Sequence, residues 1–204
     1  MKDRIVEVSL DRFLQYGIRN MTIAKLVEPM GISTKTVYKY FKSKEELLRE
    51  CLRVLYKQYY NEFSFVLQST VNPAVMLFSV FKASFSKDFG VNRDFFHDLN
   101  YYYPELQNEA IRSRENEFDA ILLGVVDKGV KEGYFIPDLH PGIVLAGIGT
   151  LYTSITRTAS YQHFEVNPAV LFHNLLEVYL RGMCTPKGVM ELEKMNQSTS
   201  TINK

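Results

Sequence analysis

Cysteine is nearly absent. Only Cys51 and Cys184 occur in 204 residues, too few and too far apart for a disulfide framework, so a reducing cytosol suits the chain. The opening Met1-Lys2-Asp3-Arg4-Ile5-Val6-Glu7 is polar and amphipathic and has no signal-peptide apolar block. The longest uncharged run, Pro141 to Thr156, is broken by three glycines and several hydroxyls. It falls short of the ~20 apolar residues that cross a bilayer. A soluble, cytoplasmic protein is expected, with no membrane partner.

Chemistry-bearing patterns are also scarce. The chain has no glycine-rich phosphate loop and no nucleophile elbow. Asp94 and His97 have the i, i+3 spacing of one carboxylate–histidine metal pair. A di-iron bundle needs a second pair and two more inward carboxylates, and no matching pair occurs. His140, His163 and His173 lack ligand spacing. Glu105, Glu109, Glu115 and Glu117 are interleaved or followed by Arg112 and Arg114, the pattern of a solvated face. Neither an enzyme nor a metal site nor a cofactor is expected.

What is present is a polarity of charge. The whole chain carries +1, yet up to Tyr60 there are twelve Lys or Arg against seven acids, a net +5 that leaves −4 for the remainder. Such asymmetry points to an anion-binding end joined to something else. Hydrophobic residues make up 46% of the chain and charged residues 23%, enough to bury a substantial core.

The order of helix signals predicts an all-α protein of about nine helices. Asp3 can cap a first helix with Ile5, Val6, Leu10, Phe13 and Leu14 on one face, ended by Gly17. Thr22 caps a short second helix, Gly31 breaks it, and Ser33 caps a third that Val37 and Phe41 pin inward. Ser43-Lys44-Glu45-Glu46 is a capping box, with Glu46 placed to reach the backbone of Ser43. Three short helices with a glycine turn before the third describe a helix-turn-helix. A fourth helix from Lys44 to about Ser69 would link the two parts mechanically. Asn72-Pro73 opens a fifth, Arg93 to Tyr102 is a sixth, and Pro104 opens a long seventh, with Ile111, Phe118, Ile121, Leu122 and Val125 inward, ending near Glu132 and Gly133. Pro141 starts the eighth and Asn167-Pro168 the ninth, running to about Met183. The expected organisation is a helix-turn-helix DNA-binding domain over 1–46, a larger helical ligand-binding and dimerisation bundle over 47–185, and a polar, frayed tail over 186–204.

Ser33 to Lys44 contains no acidic residue. A hydroxyl-capped helix start suits a phosphate. Lys35, Thr36 and Lys39 project opposite Val37 and Phe41, where lysine can reach guanine acceptors and threonine a base edge or thymine methyl. Tyr38 and Tyr40 offer hydroxyls to phosphate oxygens. Lys44 sits in a first helical turn, where the dipole disfavours a cation and a phosphate partner would explain it. The bland alternative is a basic, solvated helix with two core tyrosines.

Residues from about Ile5 to Leu52 resemble the DNA-binding domain of the TetR (tetracycline-repressor-like) family of bacterial transcription regulators. The matching features are Phe13…Gly17, Thr22, Gly31-Ile32-Ser33, Val37-Tyr38-Lys39-Tyr40-Phe41 and Lys42-Ser43-Lys44-Glu45-Glu46-Leu47. Further on, only Gly129…Glu132-Gly133…Pro137-Asp138-Leu139 is similar to the family. The resemblance implies a homodimer with two recognition helices in successive major grooves of a palindromic double-stranded DNA operator, acting as a ligand-released repressor. Carried over by position, Thr22, Ser33, Tyr38, Tyr40 and Lys44 correspond to phosphate contacts, and Thr34, Lys35, Thr36 and Lys39 to positions nearest the bases. The chain departs from the family at Val27, Pro29 and Met30. Proline removes a donor and restricts the residue before it, so the second helix should end early or with a distorted last turn, with Val27 and Met30 filling space beside the third.

Fourteen of the 27 Phe and Tyr lie between Tyr56 and Tyr103. The resemblance implies a small-molecule pocket here, with Tyr59, Phe63, Phe78, Phe81, Phe85, Phe96, His97 and Tyr101 as candidate lining and a largely apolar or aromatic effector. Plain core packing is the competing reading. The eighth helix is apolar all round, so a second copy is expected to cover it. Gly142, Ala146, Gly147 and Gly149, with Val170, Leu171, Leu175, Leu176 and Val178 of the ninth helix, are the candidate dimer interface. A rival to the regulator reading is an interaction protein that kept the fold and lost sequence-specific DNA binding.

Overall fold

A computed structural model describes residues 1–69, 72–112, 115–158 and 160–202. Its helices are α1 (Lys2–Tyr16), α2 (Ile23–Val27), α3 (Thr34–Tyr38), α4 (Lys44–Ser69), α5 (Pro73–Phe89), α6 (Arg93–Tyr102), α7 (Pro104–Arg112), α8 (Glu115–Lys131), α9 (Pro141–Thr156), α10 (Pro168–Leu171), α11 (Val178–Gly182) and α12 (Pro186–Ile202). No strand occurs among the described residues beyond an isolated bridge of Phe135 with Cys184. The fold is all-α, with a helix-turn-helix followed by a larger helical part. The chain forms two compact units that are not contiguous in sequence: 1–60 with 90–115, and 61–89 with 116–204.

In the first unit, α1 buries the stripe Ile5, Val6, Leu10 and Phe13. Asp3 lies inside its first turn rather than capping it; Met1 is the cap residue and makes no side-chain bond. Gly17, at φ +79° and ψ 166°, ends the helix and donates its N–H to Phe13 O. Helix α2 stops at Val27, and Glu28–Met30 form a tighter 3-10 turn. That is the early end Pro29 predicts, since it offers no N–H to an α-helical turn. Val27 is buried and Met30 packs against the core beside it. At the start of α4, Ser43 Oγ accepts from Glu46 N at 3.1 Å. The Glu46 carboxylate accepts from the backbone of Lys42, one residue before the Ser43 partner expected.

The same core takes in residues far along the chain. Phe95, Phe96, Leu99, Leu106 and Ala110 of α6 and α7 are buried with Leu10, Phe13 and Leu52. Glu109 of α7 bridges Arg49 Nε at 2.9 Å and Arg53 at 3.7 Å on α4. The amphipathic pattern of α6 and α7 therefore serves the DNA-binding end.

The second unit is built on α5, whose N–H groups at Ala74 and Val75 are capped by Asn72. Phe78, Phe85, Val126, Phe135, Ile148 and Leu176 are in its core. Of the single seventh helix expected from Pro104, Pro104–Arg112 (α7) and Glu115–Lys131 (α8) are helical. Residues 113 and 114 between them, and the Ile111 side chain, lie outside the described residues. The segment expected as one ninth helix instead runs through a π-helical stretch, Phe172–Glu177, between α10 and α11.

The expected frayed tail is corrected by α12. Thr185 Oγ1 bonds Gly133 O at 2.7 Å and Lys187 lies over the Tyr134 ring at 4.0 Å. Leu192 is buried, and Ser79 of α5 donates to Met195 Sδ at 3.7 Å. Val189, Leu192 and Met195 recur at helical spacing, so a polar composition concealed an amphipathic stripe.

Candidate nucleic-acid interface

Two capped helices and one glycine turn mount the candidate residues. Thr22 Oγ1 accepts from Lys25 N at 3.3 Å, setting the start of α2. Gly31, at φ +63° and ψ 23°, takes the left-handed conformation that ends the 3-10 turn. Ser33 Oγ accepts from Thr36 N at 3.2 Å and lies 3.1 Å from the Thr36 hydroxyl. Val37 and Phe41 are fully buried, so the outer face of α3 is fixed by what its inner face fills.

Of the candidate residues Thr22, at the start of α2, and Ser33, Thr34, Lys35, Tyr38, Lys39 and Tyr40, on and around α3, are exposed, and Thr36 is half-buried. Tyr38 is 54% exposed, which removes it from the core that the bland reading required. Among the described residues neither Lys35 nor Lys39 takes part in an ion pair. Helix α3 proper has five residues, with the chain turning through Lys39 and Tyr40, so positive side chains dominate over any helix dipole.

Lys44 is placed differently. Its Nζ donates to Ile18 O at 2.6 Å and lies 5.8 Å from the Phe13 ring centre. Burial pushes its pKa below the usual lysine range, the Asp98 carboxylate opposes this, and Arg19 adds to it.

The candidate pocket residues divide between the units. Phe63, Phe78, Phe81 and Phe85 belong to the second, where Phe172 meets Phe78 at 5.5 Å and Phe85 at 5.3 Å between ring centres. Tyr59 is half-buried and Phe96 fully buried against the first unit's core, while His97 and Tyr101 are exposed and stack on each other at 6.0 Å. In the second unit a buried carboxylate, Asp88, accepts from Tyr152 Oη at 2.7 Å and lies 3.7 Å from an Arg157 nitrogen. An open cavity of about 420 Å³ is lined by Leu123, Gly124, Asp127, His140, Pro141 and Gly142, and includes none of the pocket candidates.

Of the dimer candidates, Ala146, Gly149, Val170 and Val178 are exposed, beside Ile143 at 69%. Gly142, Gly147 and Leu175 are half-buried, and Leu171 and Leu176 lie in the unit's own core. A Cβ on Gly147 would fall 2.5 Å from the Tyr179 hydroxyl, so its small size serves packing within the chain. Among the described residues no cluster of three or more His, Cys, Asp or Glu could hold a metal, and no helix is long and apolar enough to cross a membrane.

Sequence reasoning missed the parts of the first unit contributed by residues 90–115. Asn92 caps α6, accepting from Asp94 N at 2.8 Å. Its other bonds, to Leu14 O and Gln15 O, span nearly 80 residues and have no local signal.

Residues 5–51 match the family model described as bacterial regulatory proteins, tetR family. Over these residues the chain has the helix-turn-helix domain of the TetR family. The HTH-type transcriptional repressor KstR2 of Mycobacterium tuberculosis is 27% identical over 150 residues, covering 70% of this chain and 73% of that protein. The solved structure of that organism's ketosteroid transcriptional regulator KstR2 aligns with a TM-score of 0.63 and 24% identity, over 90% of this chain and 95% of that one. FadR from Bacillus subtilis, solved in complex with stearoyl-CoA, aligns with a TM-score of 0.70 and 18% identity, over 90% of this chain and all of that one. These relatives are transcriptional regulators of a common fold, and this chain shares their class.

Proposed function

We propose that this protein is a homodimeric repressor that binds a palindromic operator and leaves it when a small, largely apolar or aromatic molecule occupies the second unit. The observation that carries the reading is the α3 face. Lys35 and Lys39 stand unneutralised beside Thr34, Tyr38 and Tyr40, on a segment locked from behind by Val37 and Phe41. Phosphates would meet Thr22, Ser33, Tyr38, Tyr40 and Lys44, whose ammonium has two N–H donors besides the one on Ile18 O, and bases would meet Thr34, Lys35, Thr36 and Lys39. For dimerisation, the face of Ile143, Ala146 and Gly149 with Val170 and Val178 is apolar and uncovered, as a two-fold interface requires. For the effector, the ring cluster of Phe78, Phe81, Phe85 and Phe172 favours an apolar body. Among the structural relatives, one is named a ketosteroid regulator and one was solved with stearoyl-CoA, whose acyl chain is apolar and whose coenzyme A part is charged.

Selection of bound duplexes from a random DNA pool tests the core of this reading. A palindromic consensus is expected, bound with an affinity that falls steeply with salt and drops in Lys35→Ala and Tyr40→Ala. Weak, sequence-independent binding would instead favour an interaction protein that kept the fold. Light scattering at micromolar concentration should give the mass of two chains, and a monomer would remove the dimer from the proposal. Thermal-shift screening that found only small, highly charged ligands would remove the apolar effector.

A further inference from the structure

The turn from Gly17 to Thr22 carries two of the proposed phosphate contacts. Thr22 ends it, and the Lys44 ammonium is bonded to its Ile18 carbonyl at 2.6 Å. Within itself the turn is loosely made, with Met21 N reaching Ile18 O at 3.3 Å. Its shape comes from α6, which lies in the same unit. Asp98, 5% exposed, accepts from the backbone N–H of Arg19 at 2.7 Å. The Arg19 guanidinium bonds the Tyr102 hydroxyl at 2.7 Å and lies 4.3 Å from that ring's centre. One turn earlier, Asn92 binds the carbonyls of Leu14 and Gln15 at 2.8 and 3.0 Å.

A buried carboxylate is expensive to keep, and an apolar residue would fill the same space without desolvating a charge. The charge-assisted bond it forms falls on the loose turn and on no regular helix, so its effect is to fix where that turn stands. We infer that Asp98, from α6, is a positioning residue for DNA binding: it holds the Gly17–Thr22 turn so that Thr22 and Lys44 meet the phosphate backbone together. The inference rests on the operator reading above and adds a residue 79 positions from the turn it sets.

The test uses full-length protein and fluorescence anisotropy on the selected operator and on an unrelated duplex of equal length, at several salt concentrations. Asp98→Ala should weaken operator binding about tenfold, the scale of one charge-assisted hydrogen bond. Binding to the unrelated duplex, which rests on the same phosphate contacts, should weaken as well, and the salt slope on both duplexes should fall by about one as a phosphate contact is lost. Asp98→Asn keeps an acceptor for the Arg19 N–H and should restore operator affinity to within about threefold. Should Asp98→Ala fail to fold, Asp98→Ser, too short to hold that N–H, carries the same expectation. A folded Asp98→Ala or Asp98→Ser protein that binds operator like wild type overturns the inference, as does Asp98→Asn behaving no better than Asp98→Ala. Wild-type protein that selects no sequence overturns the operator reading itself, and this inference with it.

Discussion

Gly17→Ala should damage the DNA-binding unit far more than its position at the end of a helix suggests. The backbone there, φ +79° and ψ 166°, lies in a region that only glycine enters freely. An alanine would incur about 1–3 kcal/mol of strain. Its Cβ would also fall 2.8 Å from Asp94 Cβ, an atom fixed to the α6 backbone that no rotamer change can move. Relief requires α6 to shift, which strains the Asp98 bond to Arg19 and adds about 1–3 kcal/mol of overpacking. The expected loss is about 2–6 kcal/mol. Gly31→Ala is the control. It has positive φ but nothing within 4 Å of the added carbon, so its cost should be about 1 kcal/mol, the backbone preference alone. Urea unfolding followed by far-UV circular dichroism gives both values, and their difference combines the contact with α6 and the less permissive backbone at Gly17. If Gly17→Ala costs no more than Gly31→Ala, then α6 does not press on the turn and the reasoning fails.

The second unit offers its own tests. Burial alone would raise the Glu177 pKa, but hydrogen bonds from His173 and Arg181, and their charges, outweigh it and hold the carboxyl below its ordinary value. A depressed folded pKa stabilises above the unfolded value of about 4.3 and is lost as pH falls through the folded one. The stability gap between wild type and Glu177→Gln should therefore narrow below about pH 4; a gap that is flat with pH contradicts this. Burial pushes the Cys184 thiol up to about 11 and Cys51 above the usual thiol range, so neither should react with Ellman's reagent in native protein at pH 7.5, and rapid stoichiometric labelling would contradict it. Ending the chain after Thr185 removes buried Leu192 and the packing of α12 against α5 and should cost at least about 3 kcal/mol; an unchanged Tm would mean that α12 is a tail after all.

The helix-turn-helix was legible because its signals are local. Caps at Thr22, Ser33 and Ser43, glycines at 17 and 31, and the inward pair Val37 and Phe41 each act within one or two turns. Even Pro29's distortion could be read, since it follows from a missing N–H. Partnership across the chain could not. Phe95, Phe96 and Leu99 form a stripe that fits any core, and nothing near them says that Phe13 and Leu52 lie beneath. The eight pocket candidates share one aromatic-rich segment yet separate into two units. Lys44 shows the same limit at one residue: its helix position was clear, but the Ile18 carbonyl that holds it is 26 residues away. The π-helical stretch at Phe172–Glu177 has no sequence signal that we can name.

An effector changes operator affinity only by binding the two states of the protein unequally. A tenfold change corresponds to about 1.4 kcal/mol, close to what one hydrogen bond to a charged group contributes. The chain passes between its two units at 60–61, at 89–90 and at 115–116. The first passage is in the middle of α4, where an unbroken helix resists local changes of dihedral angle. The second is at Phe89-Gly90, directly ahead of Asn92 and α6. Helix α6 in turn carries the bonds that fix the Gly17–Thr22 turn. An effector that displaced Gly90 to Asn92 by enough to lengthen the Asp98 bond to Arg19 would alter operator affinity by the required amount while α3 itself stayed intact. Measured effector response in Asp98→Asn decides this: preserved operator binding with a weakened response places the coupling on α6, and an unaltered response places it on one of the other two passages.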